Sequence, residues 1–358
     1  MAKVSPSNGP PAYDAAMGGP APGPNSARGL AHWHGGSHFP EGLRNQFVRS
    51  AEEFDHRFWI VDNSGSMRST DGTRVHRKRG GEEVAIKSSR WEELCQGISF
   101  HGECATALRA PTEFTLLNQA ESMQTIVCGM PGQDVAGELA ELKRFVATEP
   151  TGTTPLCGAI RAVVAKIRDM APSLRARQKK VVLVIASDGE ATDGRVQDCM
   201  APLKGLPVWV VVRLCTSEDS VVDYWNQIDN DLELDMDVLD DVKAEAKEVA
   251  AFNPWVTYAP PLHRLREWGT SVKVFDSLEE GKLSGSQMQK VCELILGDVA
   301  GDCPSPELEW GAFRAFITDV QKNMAPVFDP TTGRRKPWIT VKKRSIKSQK
   351  QSAACCIL

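Results

Sequence analysis

The sequence is poor in several things, and each shortage removes a class of explanation. No apolar run in its 358 residues approaches the ~20 needed to cross a bilayer as a helix. The opening stretch, MAKVSPSNGPPAYD, has no apolar core, so no secretory signal is expected there. There are 10 cysteines but no C-x-x-C pair, and Cys128, Cys215 and Cys292 sit inside apolar runs. Scattered thiols of this kind read as reduced and buried in a cytosolic protein. No GxxxxGK[ST] loop is present to cradle a nucleotide. The net charge is only −4, and nucleic acid is not expected as a partner. Hydrophobic residues at 41% and charged residues at 25% are ordinary for a globular chain, which at this length means one large domain with appendages, or two domains.

The modest net charge hides an asymmetry. From Arg334 onward the chain carries eight Lys or Arg and no acid, so the rest has 34 basic and 46 acidic residues. An acidic body with a basic tail suggests that the tail meets an anionic surface.

Three stretches carry the chemistry. FWIVDNSGS begins with four apolar residues, Phe58 to Val61, which read as a strand buried on both faces. The run stops at Asp62 and turns through Asn63, Ser64, Gly65 and Ser66. Asp62, Ser64 and Ser66 are all oxygen donors, suited to a hard divalent cation. TGTTPLCGAI places Thr153 and Thr154 ahead of Pro155, which opens a helical pattern. KKVVLVIASDGEATDG contains a second buried strand, Val181 to Ala186, and ends in Asp188. In open α/β sheets, ligands sit outside the carboxyl ends of strands, where strand order reverses, and two acid-bearing strand ends can converge there.

In this trio the sequence resembles the von Willebrand factor A (VWA) domain family over roughly residues 54–300. DNSGS matches the family's Asp-x-Ser-x-Ser motif, TTP its threonine loop and SDGE its second aspartate loop, in the family's order. The resemblance implies a metal ion-dependent adhesion site with ligands Asp62, Ser64, Ser66, Thr154 and Asp188. Thr154 is preferred to Thr153 because it directly precedes the residue that opens the helix. The implied ion is Mg²⁺, or Mn²⁺ or Ca²⁺, and the implied partner is a protein presenting an acidic residue to it.

In chain order, residues 1–50 are rich in Gly, Pro, Ala and Asn and read as mostly disordered. Within them Pro10, Pro11 and Tyr13 form a PPxY motif, which resembles ligands of WW domains. His32, His34 and His38 cluster, but a Gly-rich segment does not fix the geometry a metal needs. Residues 51–300 are expected to form the domain: a doubly wound, mostly parallel, six-stranded α/β sheet of Rossmann-like type. Residues 67–87 read as a long polar loop beside the metal. PTEFTLLN and QTIVCGM read as an antiparallel edge hairpin, and LPVWVVVRLC and SVKVFDS as the fifth and sixth strands. Between these two, acids alternate with apolar residues from Asp229 to Val238, which reads as an exposed, half-buried strand, and about 230–268 reads as an insertion. His263 lies in that insertion with no evident partner. Glu190 and Asp193 are expected as exposed turn residues. Residues 301–340 read as a small helical extension packed on the domain.

Residues 341–358 form a polybasic tail ending in Cys355, Cys356, Ile357 and Leu358. This resembles a CaaX box, which implies geranylgeranylation of Cys355. A single lipid anchors only marginally, and the basic residues Lys342, Lys343, Arg344, Lys347 and Lys350 would supply the second signal at an anionic leaflet.

Three functions follow as expectations. The first is a metal-dependent protein-binding module, peripheral on the cytosolic face of a membrane. The second is a metal-assisted hydrolase or phosphoryl-transfer enzyme, for which His76 is the nearest candidate base. The third is a membrane scaffold that recruits WW-domain partners through PPxY.

Overall fold

A computed structural model describes residues 39–78, 83–120, 123–232, 234–297 and 303–342. The first described helix, α1 (Glu41–Glu53), feeds the central strand β1 (Phe54–Val61). A hairpin of β2 (Gly72–Arg77) and β3 (Glu83–Ser88) follows, then helix α2 (Arg90–Leu108). The strands β4 (Thr112–Ala120) and β5 (Met123–Cys128) lead to helices α3 (Val135–Val146) and α4 (Leu156–Ala176). Next come β6 (Lys180–Ser187), α5 (Val196–Met200), β7 (Val208–Leu214), α6 (Asp219–Leu232) and β8 (Met236–Leu239). Helices α7 (Val242–Phe252), α8 (Pro260–Trp268), α9 (Ser277–Glu280), α10 (Gly285–Leu296) and α11 (Trp310–Val320) precede a short hairpin, β9 (Val327–Asp329) and β10 (Arg334–Lys336).

Six strands make one sheet in the order β5-β4-β1-β6-β7-β8. All neighbours run parallel except β4 and β5, the expected antiparallel edge. The chain winds from β1 outward to β4 and β5, then crosses back to β6 and winds the other way. The strand order therefore reverses between β1 and β6, so this is a doubly wound α/β fold with its crevice at their carboxyl ends.

The continuous apolar runs of β1, β6 and β7 follow from burial on both faces. Trp59, Val61, Phe114, Val182, Val184 and Val211 point into one core, covered by α1, α2, α3, α8, α10 and α11. Phe58, Ile60, Leu183, Ile185, Val210 and Val212 point into the other, covered by α4, α5 and α6. The eight cysteines among the described residues are free thiols, all buried except the half-buried Cys95. Burial pushes the Cys128 and Cys215 thiols up to about 12, which makes them inert as nucleophiles.

Four expectations are corrected. The sixth strand is β8, not SVKVFDS; residues 273–276 form a turn closed by Phe275 N–H to Val272 O (3.0 Å) and Asp276 N–H to Lys273 O (3.2 Å). The alternating stretch 229–238 is split, because Asp229–Leu232 ends helix α6 and only its last residues join β8. Asp237 is buried there because Arg266 donates to its Oδ1 at 2.8 Å. The expected polar loop 67–87 contains the β2–β3 hairpin, which rests on α2 through Thr73 N–H to Glu93 Oε2 (2.7 Å) and Gln96 Nε2–H to the Val75 carbonyl (2.8 Å). Finally, residues 41–50 are helical rather than disordered, with Leu43, Phe47 and Val48 fully buried.

The C-terminal extension packs on the domain as expected. Phe313 and Ile317 of α11 enter the first core. Thr257 N–H donates to the Trp338 carbonyl (2.9 Å) and Thr340 N–H to that of Trp255 (2.6 Å). No helix among the described residues is long and apolar enough to cross a membrane.

Candidate functional site

The parallel register brings the two acid-bearing strand ends side by side. Val61 pairs with Ala186, and Asp62 N–H donates to the Ala186 carbonyl at 2.9 Å. Asp62 is thus the first residue beyond β1 and Asp188 the first beyond β6. Ser187, the last residue of β6, donates its hydroxyl to Asp62 Oδ2 at 2.6 Å. Asp62 Oδ1 accepts the Ser64 N–H at 2.8 Å, which turns the chain back over the strand end.

From there a chain of hydroxyls runs across the crevice. Ser66 Oγ donates to Asp188 Oδ1 at 2.8 Å, and Ser64 Oγ lies 3.0 Å from Ser66 Oγ. A hydroxyl has a single proton. Ser66 directs its own to Asp188, so Ser64 is the donor to Ser66. Asp62, Ser64 and Asp188 are buried, and Ser66 is exposed at the mouth. Four of the five expected ligands are therefore joined by hydrogen bonds within one site.

Thr154 is brought to the same rim by backbone contacts. Thr151 N–H donates to the Asn63 carbonyl (2.6 Å), Gly65 N–H to that of Gly152 (3.1 Å) and Thr192 N–H to that of Thr154 itself (2.9 Å). Thr154 is buried, and its hydroxyl is not part of the hydrogen-bonded chain that links the other four. Gly152 holds φ +78°, and a Cβ there would meet Asn118 Oδ1 at 2.5 Å, so the turn requires glycine.

Sequence reasoning missed the residues that brace these loops. Asn63 Nδ2–H donates to the Asn118 carbonyl (2.8 Å), Asn118 N–H returns to Asn63 Oδ1 (2.8 Å), and Asn118 Nδ2–H reaches the Thr153 carbonyl (2.7 Å). The two amides tie the first loop to β4 and to the threonine loop. Asp193 is exposed, as expected of a turn residue, but it also caps α4, accepting from Cys157 N–H (2.9 Å) and Gly158 N–H (2.7 Å). Its position six residues beyond Ser187 carried no signal for a cap on a different helix.

Arg90 was also missed. It is the first residue of α2, whose start is fixed by a capping box between Ser89 and Glu92. Its guanidinium donates to Asp188 Oδ2 (3.0 Å), to both oxygens of Asp71 (2.8 and 2.7 Å) and to Glu218 Oε1 (2.6 Å). One helical turn on, Glu93 accepts from Arg213 Nη2 at 2.6 Å. Arg213 in turn meets Glu267 (3.3 Å), which is held by Arg264 and by His101 Nε2–H (2.8 Å). A buried ionic network thus continues from the site into the core behind it.

The electrostatics of the two acids differ. Asp188 has Arg90 beside it. Asp62 is fully buried and has hydrogen bonds but, among the described residues, no cationic partner. Burial pushes its carboxyl above the usual range, the bonds from Ser187 and Ser64 pull it part of the way back, and the Asp188 charge adds to the push. A buried carboxylate without a counter-charge is costly. Two carboxylates and three hydroxyls at one crevice form an oxygen donor set, and a divalent cation held among them would relieve that cost. Among the described residues no group of three or more His, Cys, Asp or Glu is placed to hold a metal, so the hydroxyls are essential to any such site.

Other candidates lie elsewhere or outside the description. His76 is exposed on β2, opposite Val84. His263 does have partners: Tyr258 Oη lies 3.1 Å from its Nδ1, and Glu267 Oε1 lies 3.4 Å from its Nε2. A cavity of about 270 Å³ opens between the β2–β3 hairpin, α2, α8 and the C-terminal hairpin, with Phe100, Pro260, His263, Phe328 and Trp338 in its walls. None of the five expected ligands lines it, but Glu93, Arg213 and Arg264 of the ionic network do. Pro10, Pro11, Tyr13, His32, His34, His38, Lys343, Arg344, Lys347, Lys350 and Cys355 lie outside the described residues, and Lys342, the last described, is exposed. No protein-family model and no curated protein matches the chain.

Proposed function

We propose that the chain is a metal-dependent protein-binding module of the VWA type. The observation that carries this reading is Asp62: a fully buried carboxylate with no cationic partner among the described residues, at the strand-order reversal, in a row of oxygens ending at Asp188. Asp62, Ser64, Ser66 and Asp188 would hold Mg²⁺ or Mn²⁺ (or Ca²⁺), with Thr154 supplying a hydroxyl from the rim. A divalent cation bound by two carboxylates and neutral hydroxyls stays electrophilic, and it accepts a carboxylate oxygen from a partner protein. Ser66, exposed at the mouth, is the ligand nearest an incoming group. Asp62 and Ser187 fix the floor, and Asn63 and Asn118 hold the loops apart. The tail reading completes the proposal: a prenylated Cys355 with the basic run from Lys342 to Lys350 would place this module at an anionic membrane surface.

The test is affinity capture from cell extract with the full chain, with and without a chelator, alongside Asp62→Ala and Tyr13→Ala. Partners lost both with chelator and in Asp62→Ala support the module. Partners lost only in Tyr13→Ala would replace it with the PPxY scaffold. Calorimetry showing no uptake of Mn²⁺ or Mg²⁺ by the wild type would sink the metal reading.

A further inference from the structure

We infer that Arg90 sets both the affinity of this oxygen cluster for a divalent cation and the cation's appetite for an incoming carboxylate, acting as a positioning residue through Asp188. The inference rests on the metal reading above and assigns it an internal regulator. Arg90 has five N–H donors in a rigid fork, and the bonds to Asp71, Glu218 and Asp188 account for four of them. Its side chain is only 7% exposed. The three carboxylates come from the loops that follow β1, β6 and β7, so one guanidinium joins three of the loops that line the crevice. Arg90 N–H also donates to the Ser69 carbonyl at 2.9 Å, which locks the base of the side chain to the first loop.

Two effects follow, with opposite signs. Arg90 takes Oδ2 of Asp188, leaving Oδ1 turned to Ser66 and the cluster. It also keeps a permanent positive charge one carboxylate away from a bound cation, and like charges at that range repel strongly where burial lowers the dielectric. The cation is therefore held less tightly than two free aspartates would hold it. The same charge favours an arriving acid. Asp71 and Glu218 have side chains 51% and 59% exposed at the mouth. Without Arg90 they and Asp188 would present uncompensated negative charge to any acidic partner. Arg90 thus weakens the grip on the metal and strengthens the metal's grip on a carboxylate.

The experiment is calorimetric titration of Mn²⁺ into the chelator-stripped full chain, as wild type, Arg90→Gln and Arg90→Lys. A thermal melt without metal confirms that each variant folds. Arg90→Gln is expected to bind Mn²⁺ on the order of tenfold more tightly. Arg90→Lys keeps the charge and is expected to stay within about threefold of wild type, whereas a purely structural role would make Lys, which cannot bridge three carboxylates, resemble Gln. If Arg90→Gln does not fold, Glu218→Gln serves instead: it leaves Arg90 less neutralised and should weaken Mn²⁺ binding by about two- to threefold. A folded Arg90→Gln that binds Mn²⁺ no more tightly than wild type overturns the inference and leaves the metal reading intact. Mn²⁺ uptake by Arg90→Gln but not by wild type ends the metal reading for the native chain and the inference that rests on it. No uptake by any of the chains ends both.

Discussion

At the scale of single residues, Asp62 makes the sharpest prediction. Asparagine in its place keeps the shape, accepts the Ser64 N–H through its oxygen and donates to Ser187. It also removes a buried charge. The metal-free Asp62→Asn chain should melt at least as high as wild type, with a gain of about 1–2 kcal/mol. If the proposed site binds Mn²⁺, the wild type should gain stability by mass action and Asp62→Asn should not. Paired thermal melts with and without Mn²⁺ check both. His101 gives a separate, pH-linked prediction. It is fully buried, and burial lowers it from 6.5 to about 4 although Glu267 pulls the other way. The unfolded chain therefore takes up a proton first as the pH falls. Stability is complete above about 6.5 and is lost progressively toward about 4, by about 2 kcal/mol at pH 5. Urea titrations at pH 7 and pH 5 should show that loss, and His101→Phe should flatten it. The acids and serines of the site were legible because they sit directly after apolar strands. Arg90 and Asn118 were not, because each acts across 55 residues or more of chain (Asn118 on Asn63, Arg90 on Asp188 and Glu218), and no local pattern announces such a contact.

At the scale of elements, α2 and the threonine loop matter most. Ser89 caps α2 by accepting the Glu92 N–H at 3.1 Å. Ser89→Ala should cost about 1 kcal/mol in denaturant titrations, and because Arg90 is the next residue it should also shift the Mn²⁺ affinity. Gly152→Ala places a methyl group against Asn118 at positive φ. Its expected signature is a larger loss of Mn²⁺ affinity than of global stability, read by calorimetry beside a melt, since the loop is exposed while the core beneath it is untouched. Long elements were legible for physical reasons. β1, β6 and β7 are buried on both faces and read as unbroken apolar runs, and α4 and α10 repeat apolar residues at helical spacing. β8 was legible as alternation, but its bounds and its place in the sheet were not, because only four residues form it and one, Asp237, is a buried acid matched to Arg266. SVKVFDS misled because its Val and Phe residues are β-formers, while Asp276 and Ser277 close a turn into α9. The β2–β3 hairpin carries no apolar stripe because it packs on α2 largely through polar bonds.

At the scale of the whole molecule, the segments at either end of the sheet domain are part of its core. α1 buries Leu43 and Phe47, and Ser50 Oγ donates to the Gly269 carbonyl at 2.5 Å. Arg57, fully buried, donates to Ser50 Oγ (2.8 Å) and the Trp268 carbonyl (3.0 Å) and lies 3.8 Å over the Trp268 ring. A chain that starts at Phe54 would strip one wall from the first core and leave Arg57 short of a partner. It should lose its cooperative melt, whereas a chain starting at Phe39 should keep it. The Gly/Pro-rich composition ahead of α1 masked this in the sequence, since ten residues of helix are easily averaged into the stretch before them.

Asn63 and Asn118 are neutral amides, so the brace between the first loop and the edge of the sheet has nothing to titrate and nothing for salt to screen. Acid or a chelator acting on an ion at the proposed site would leave that brace fastened. Reloading would then start from loops already at their working separation, and its speed would be governed by how fast the ion sheds water rather than by any reordering of the chain.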